Sequence, residues 1–115
     1  MTLKILFVCT QGRHRSRTAA ERVRFRLGEV ETRFAGVLAD ADVTVQAEDV
    51  AWADMIICME QTHRSKLRRR WKGISRKIQV WGIPDEFQRG EPALIALIDE
   101  RVGFVGQVGA LPNLN

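Results

Sequence analysis

The apolar run Ile5-Leu6-Phe7-Val8 leaves this chain few choices of architecture. It is short, suits a strand, and has no polar residue to turn toward water, so it reads as a strand covered on both faces, as in a parallel sheet. It leads directly into Cys9. Thr10, Gln11, Gly12, Arg13 and His14 follow, then Arg15 and Ser16. An amphipathic stretch then predicts a helix over 16–28, with Ala19, Ala20, Val23 and Leu27 on its apolar side and Gly28 as its stop. The pattern C-x5-R-S therefore occupies a tight loop at the carboxyl end of a strand, which is where α/β proteins bind ligands.

Each residue type in that loop has a physical reason to be there. A turn from strand to helix within seven residues points successive backbone N–H groups into one concavity, and that concavity suits an anion. The helix beginning near Ser16 adds its unpaired N–H groups and the positive end of its dipole. An electropositive site of this kind makes Cys9 a candidate nucleophile, because the thiolate is the reactive form. Arg15 is spaced to fork two N–H bonds onto a phosphoryl group, a geometry lysine cannot match. Ser16 can donate a hydrogen bond to the sulfur. The backbone of Thr10, Gln11, Gly12, Arg13, His14 and Arg15 is the candidate phosphate cradle. A nucleophile, an oxyanion cradle and a forked arginine together describe phosphoryl transfer through a phosphocysteine.

Beyond the helix, a second strand is expected at 32–35, closed by Gly36, and a loop over 37–43. A short helix is expected over 44–52 with Thr44 as a candidate N-cap. Met55 to Met59 is the second strongly apolar run, followed by a basic helix over 61–71 and a last strand over 77–81. A loop through Ile83-Pro84-Asp85-Glu86-Phe87 leads to a final helix over 91–105. The alternation of strand and helix predicts an α/β fold of three layers. Its four-stranded parallel sheet carries helices on both faces and a phosphate-binding loop after strand 1. One domain is expected over 1–105, with a tail over 106–115.

The chain has 115 residues, 45% of them hydrophobic, and a net charge of +4 that favours acidic partners. Neither a signal peptide nor a membrane span is expected. Its two cysteines form no disulfide framework, so a cytoplasmic location and free thiols are the expectation. Cys58 reads as core, His63 as an exposed residue of the basic helix, and His14 as facing solvent or tuning the loop. The tryptophans read as packing. No His/Cys cluster has metal-ligand spacing, and no metal or organic cofactor is expected. The cations of 61–77 form either a solvated face or a docking surface for an acidic partner; nucleic acid is disfavoured, its single-stranded form for want of interleaved aromatics.

With these residues in view, the chain resembles the low-molecular-weight protein tyrosine phosphatases in a short bacterial-type form. Three segments carry the resemblance: Val8-Cys9 through Ser16, Ala53 through Glu60, and Ile83 through Phe87. The resemblance implies Cys9 as nucleophile, Arg15 as phosphate clamp and Ser16 as thiolate stabiliser. It implies Asp85 as the acid that protonates the leaving group and then as the base that activates water. It also implies a phosphotyrosine-bearing protein as substrate and strand 1 inside the sheet. Glu86 is a chemical equivalent next door to Asp85, and Phe87 either flanks a substrate ring or packs. Gln11-Gly12 departs from the family's Gly-Asn, with Gly12 able to take a positive φ in its place. Arg17 departs from its usual proline. His14 stands where some members carry a second cysteine, which removes a disulfide within the loop. The competing classes are an arsenate reductase, a phosphocarrier that keeps its phosphate, and a catalytically silent phosphate-binding module.

Overall fold

The computed structural model describes residues 2–107. Four strands, β1 (Leu3–Cys9), β2 (Val30–Gly36), β3 (Met55–Cys58) and β4 (Ile78–Val80), form one sheet in the order β2-β1-β3-β4. Every pairing is parallel. Between and after the strands lie α1 (Arg15–Leu27), α2 (Ala47–Trp52), α3 (Gln61–Arg70) and α4 (Pro92–Gln107). Strand 1 is thus interior, as expected, and its carboxyl end is flanked by the ends of β2 and β3.

Alternation along the strands sorts the core into two halves. Ile5, Phe7 and Cys9 of β1 join Met55 and Ile57 of β3 on the face covered by α1 and α4, where Ala19, Ala20, Val23, Leu94 and Ile98 meet them. Leu6, Val8, Ile56 and Cys58 face the other way, against Val50, Leu67 and Ile74 beneath α2 and α3. Both faces are dry, which is why these strands read as unbroken apolar runs. Small Ala19 and Ala20 let α1 lie close to the sheet, and each large side chain buried this way contributes about 1.5–3 kcal/mol. Trp81 closes one end of the first half, edge-on to Phe7 at 5.5 Å between ring centres.

Three expectations are corrected. Thr44 does not cap α2: it forms a single parallel bridge with Gly36 at the outer edge of β2, with Gly36 N–H donating to Val43 and Val45 N–H to Gly36. That pairing satisfies a strand edge, so α2 begins only after Gln46, whose N–H donates to Asp49. His63 is buried rather than exposed, because α3 starts at the end of β3 beside the loop after β1. Helix α4 continues to Gln107, into the segment expected as a tail; the remainder of that segment, 108–115, lies outside the described residues. No helix among the described residues is long and apolar enough to cross a membrane.

Candidate active site

The loop from Cys9 to Arg15 takes its shape from what its carbonyls bond. Those of Cys9, Thr10 and Gln11 accept from Val37 (3.0 Å), Leu38 (3.2 Å) and Asp42 (3.0 Å), all in the segment after β2. In a trans peptide the N–H opposes the C=O, so the next three amides turn to the concave side. Gly12 N–H reports this directly, lying 3.2 Å from Cys9 Sγ. Gly12 has φ +70°, and a Cβ there would stand 2.8 Å from Gly36 N and 2.9 Å from Val43 O. Positive φ and lack of room both require glycine at this point, as the sequence reading anticipated.

Cys9 sits at the base of the loop, with Ser16 Oγ 3.1 Å from its sulfur. A cleft of about 170 Å³ opens above it, lined by Cys9, Thr10, Gln11, Arg13, His14, Arg15 and Asp85. A larger depression of about 410 Å³ beside Trp81, Glu100 and Arg101 contains no nucleophile.

Arg15 is almost wholly buried, at 2% exposure. Its Nη1 donates to the Glu60 carboxylate and to the Ile83 carbonyl (2.8 Å), and Nη2 donates to Thr10 Oγ1 at 3.2 Å. Those bonds consume both Nη1 protons and one Nη2 proton. Of the five N–H groups, Nε–H and the second Nη2–H remain, an edge of the guanidinium with the geometry to fork onto two oxygens of an anion. Asp85 Oδ1 lies 3.8 Å from Nε, too far to take that donor.

Asp85 reaches the cleft because its loop is tied to α1. Arg89 N–H donates to His14 Nδ1 (3.2 Å), Gly90 N–H to Thr18 Oγ1 (3.0 Å), and the Arg89 guanidinium to Glu21 (2.7 Å). Glu86 is exposed and does not line the cleft, whereas Asp85 does. Phe87 is partly buried and packs against the core half under α1 and α4. Arg13 lies at the rim, but its guanidinium is forked onto Asp42 (2.8 and 3.0 Å) and holds that carboxyl below its usual range. Its side chain is engaged elsewhere, which leaves only its backbone for the candidate cradle. Cys58 is buried among apolar groups that push its thiol up to about 12.

Sequence reasoning missed Glu60 and His63. Glu60 follows β3 at the edge where β1 ends, and parallel strands deliver such residues to a common site. His63, 1% exposed, accepts from Glu60 N–H through Nδ1 (3.0 Å) and meets Thr10 Oγ1 through Nε2 (3.0 Å). Burial, and then the charge of Arg15, pushes its imidazole down to about 4, so it is neutral at physiological pH. The available signal was Glu60-x-x-His63 at a helix start, an acceptor three residues after the cap position.

Neither a family model nor a curated protein matches the sequence. Solved structures do match it. Wzb from Vibrio vulnificus, in complex with benzylphosphonate, superposes with a TM-score of 0.77 at 21% identity, over 90% of this chain and 97% of that one. The tyrosine phosphatase Wzb from Escherichia coli K30, in complex with phosphate, gives 0.77 at 17%, over 95% and 100%. YwlE arginine phosphatase from Geobacillus stearothermophilus gives 0.71 at 21%, over 90% and 93%. The chain has the fold of the low-molecular-weight phosphatases.

Proposed function

We propose that this protein is a cysteine-dependent phosphate-monoester hydrolase acting through a phosphocysteine, with phosphotyrosine on a cytoplasmic protein as its substrate class. The observation that carries this reading is the cleft itself. Cys9 Sγ, the inward amides of the loop, the unused edge of Arg15 and the Asp85 carboxyl line one space of about 170 Å³.

The chemistry follows from the parts. The Cys9 thiolate attacks phosphorus, and the bond to the leaving oxygen breaks as Asp85 gives that oxygen a proton. Charge on the equatorial oxygens is met by the loop amides and by Nε–H and Nη2–H of Arg15. Asp85, now a carboxylate, takes a proton from water as that water attacks the phosphocysteine. Inorganic phosphate leaves, and the thiolate returns to the hydrogen bonds of Gly12 N–H and Ser16 Oγ–H.

The competing classes are less well served. An arsenate reductase needs a second thiol to resolve its intermediate, and Cys58 points to the opposite face of the sheet from Cys9. Neither a phosphocarrier nor a silent phosphate-binding module has a use for an acid at Asp85. Two of the matched structures are a tyrosine and an arginine phosphatase, so both phosphoamino acids belong in the assay. The cations of 61–77 are the docking surface in this reading for an acidic part of the phosphoprotein. Those of α3 are turned mostly to solvent.

Hydrolysis of para-nitrophenyl phosphate, without added metal, by wild type, Cys9→Ser, Arg15→Lys and Asp85→Ala across pH 5–8 tests the assignment. Turnover abolished in the first two variants and reduced about 100-fold in the third is expected. Phosphotyrosine and phosphoarginine peptides then separate the substrates. A folded wild type that binds phosphate but turns nothing over refutes the hydrolase.

A further inference from the structure

Two donors meet at one oxygen on the edge of the cleft. His63 Nδ1 faces the Glu60 backbone N–H at 3.0 Å, so Nδ1 is an acceptor and the ring proton is on Nε2. Nε2–H is therefore given to Thr10 Oγ1 at 3.0 Å. Arg15 Nη2, which has only protons to offer, donates to the same oxygen at 3.2 Å. A hydroxyl oxygen accepts two hydrogen bonds and donates one. With both acceptor positions filled, the Thr10 rotor is fixed, and its own proton points along the direction the two incoming hydrogens leave open. Among the described residues no protein acceptor takes that proton, and Thr10 lines the cleft beside Cys9 and Arg15.

We propose that the Thr10 hydroxyl is a further donor to the phosphoryl oxygens held in this cleft, and that His63 is the positioning residue that orients it. The inference rests on the cleft being a phosphoryl site. A cap for Glu60 N–H does not require an imidazole. Asp49 makes the same contact to Gln46 N–H at 2.9 Å, from the same position of α2 and with a shorter side chain. What the imidazole adds is length: its far nitrogen reaches across to β1's loop. Through it, the first turn of α3 sets the rotamer of a residue adjacent to the nucleophile.

The substitutions follow from that division of labour. Thr10→Val keeps the branched shape and removes the hydroxyl; Thr10→Ser keeps the hydroxyl. His63→Asn keeps an acceptor for Glu60 N–H and loses the reach to Thr10. Binding of inorganic phosphate to the full chain, measured by titration calorimetry, is expected to weaken about 10-fold or more in Thr10→Val and in His63→Asn. Thr10→Ser stays within about 2-fold, and the double variant is no weaker than either single one, because both changes remove one donor. A purely structural His63 would lower the melting temperature of His63→Asn and leave its phosphate affinity at the wild-type value, which overturns the proposal. Phosphatase activity that depends on Cys9, with unchanged phosphate affinity in Thr10→Val and His63→Asn, leaves the hydrolase standing and removes this role. The expected affinity pattern in a protein without turnover does the reverse. A wild type that binds no phosphate removes both.

Discussion

Gly36 has no chemical role in the proposed reaction, yet it should be among the least replaceable residues of the site. It ends β2 opposite Cys9, and a Cβ built there would lie 2.5 Å from Gln11 C, 2.5 Å from Thr10 O and 2.6 Å from Gly12 N. All three are backbone atoms of the phosphate loop, so no side chain can swing aside. Relief requires about 1 Å of separation between loop and strand, at an overpacking cost of about 1–3 kcal/mol. The same movement strains the bonds from Val37 to Cys9 and from Leu38 to Thr10, each worth about 1 kcal/mol. Gly36→Ala should therefore lose about 3–5 kcal/mol in urea denaturation and melt about 10–20 °C lower. Among molecules that remain folded, a 1 Å displacement of the cradle should lower kcat/KM for para-nitrophenyl phosphate by about 100-fold. Gly73→Ala is the control: its φ is +78°, but a Cβ meets nothing within 4 Å. It should cost about 1–2 kcal/mol in backbone strain and leave kcat/KM unchanged. Wild-type kcat/KM in Gly36→Ala, or an equal loss in Gly73→Ala, would refute the argument that this close approach shapes the loop.

Three further outcomes are expected. His63 titrates at about 4 when folded and at about 6.5 when unfolded, so the unfolded chain alone binds this proton between those values. Its contribution is complete above pH about 6.5 and is lost as pH falls toward 4, amounting to about 3 kcal/mol. Urea denaturation at pH 4.5 and 7 should show this slope in wild type and not in His63→Asn; equal slopes would contradict it. Glu60→Gln removes the charge partner of buried Arg15 while keeping an acceptor, and should cost about 2 kcal/mol of stability, whereas an unchanged melting curve would show that the pair contributes nothing. Iodoacetamide should alkylate Cys9 well before Cys58, whose thiol is buried and pushed up to about 12, and phosphate should protect Cys9. Peptide mass analysis showing both cysteines modified at one rate would be the contrary result.

The sequence was most legible where burial is two-sided. Ile5–Val8 and Met55–Met59 announce strands because neither face meets water, and C-x5-R-S marks the loop because its chemistry depends on local spacing. Legibility failed where the deciding partner lies far along the chain. His63 stands among cations, so its helix reads as solvated; its burial follows from α3 starting at the end of β3, next to the loop. Arg13 belongs to the cradle by position, but its guanidinium goes to Asp42, which no local pattern announces. Asp85 and Glu86 are equivalent as letters and differ only in which one the loop turns inward. Thr44 had the chemistry of a cap, but its neighbours Val43 and Val45 are bonded to Gly36 at the edge of β2.

The stretch that presents Asp85 is stapled at both ends. Ile83 N–H bonds Met59 at 2.8 Å, and its carbonyl receives Arg15. Beyond the acid, Arg89 and Gly90 hang from His14 and Thr18. Only a few residues span these fixings, too few to swing as a lid over a bound phosphate. In the proposed reaction the acid is therefore in place before substrate arrives, its ordering entropy already spent in folding, and catalysis begins without a closing step. The free and phosphate-bound proteins should share one backbone, and selectivity must come from what fits an open mouth rather than from what induces it to shut.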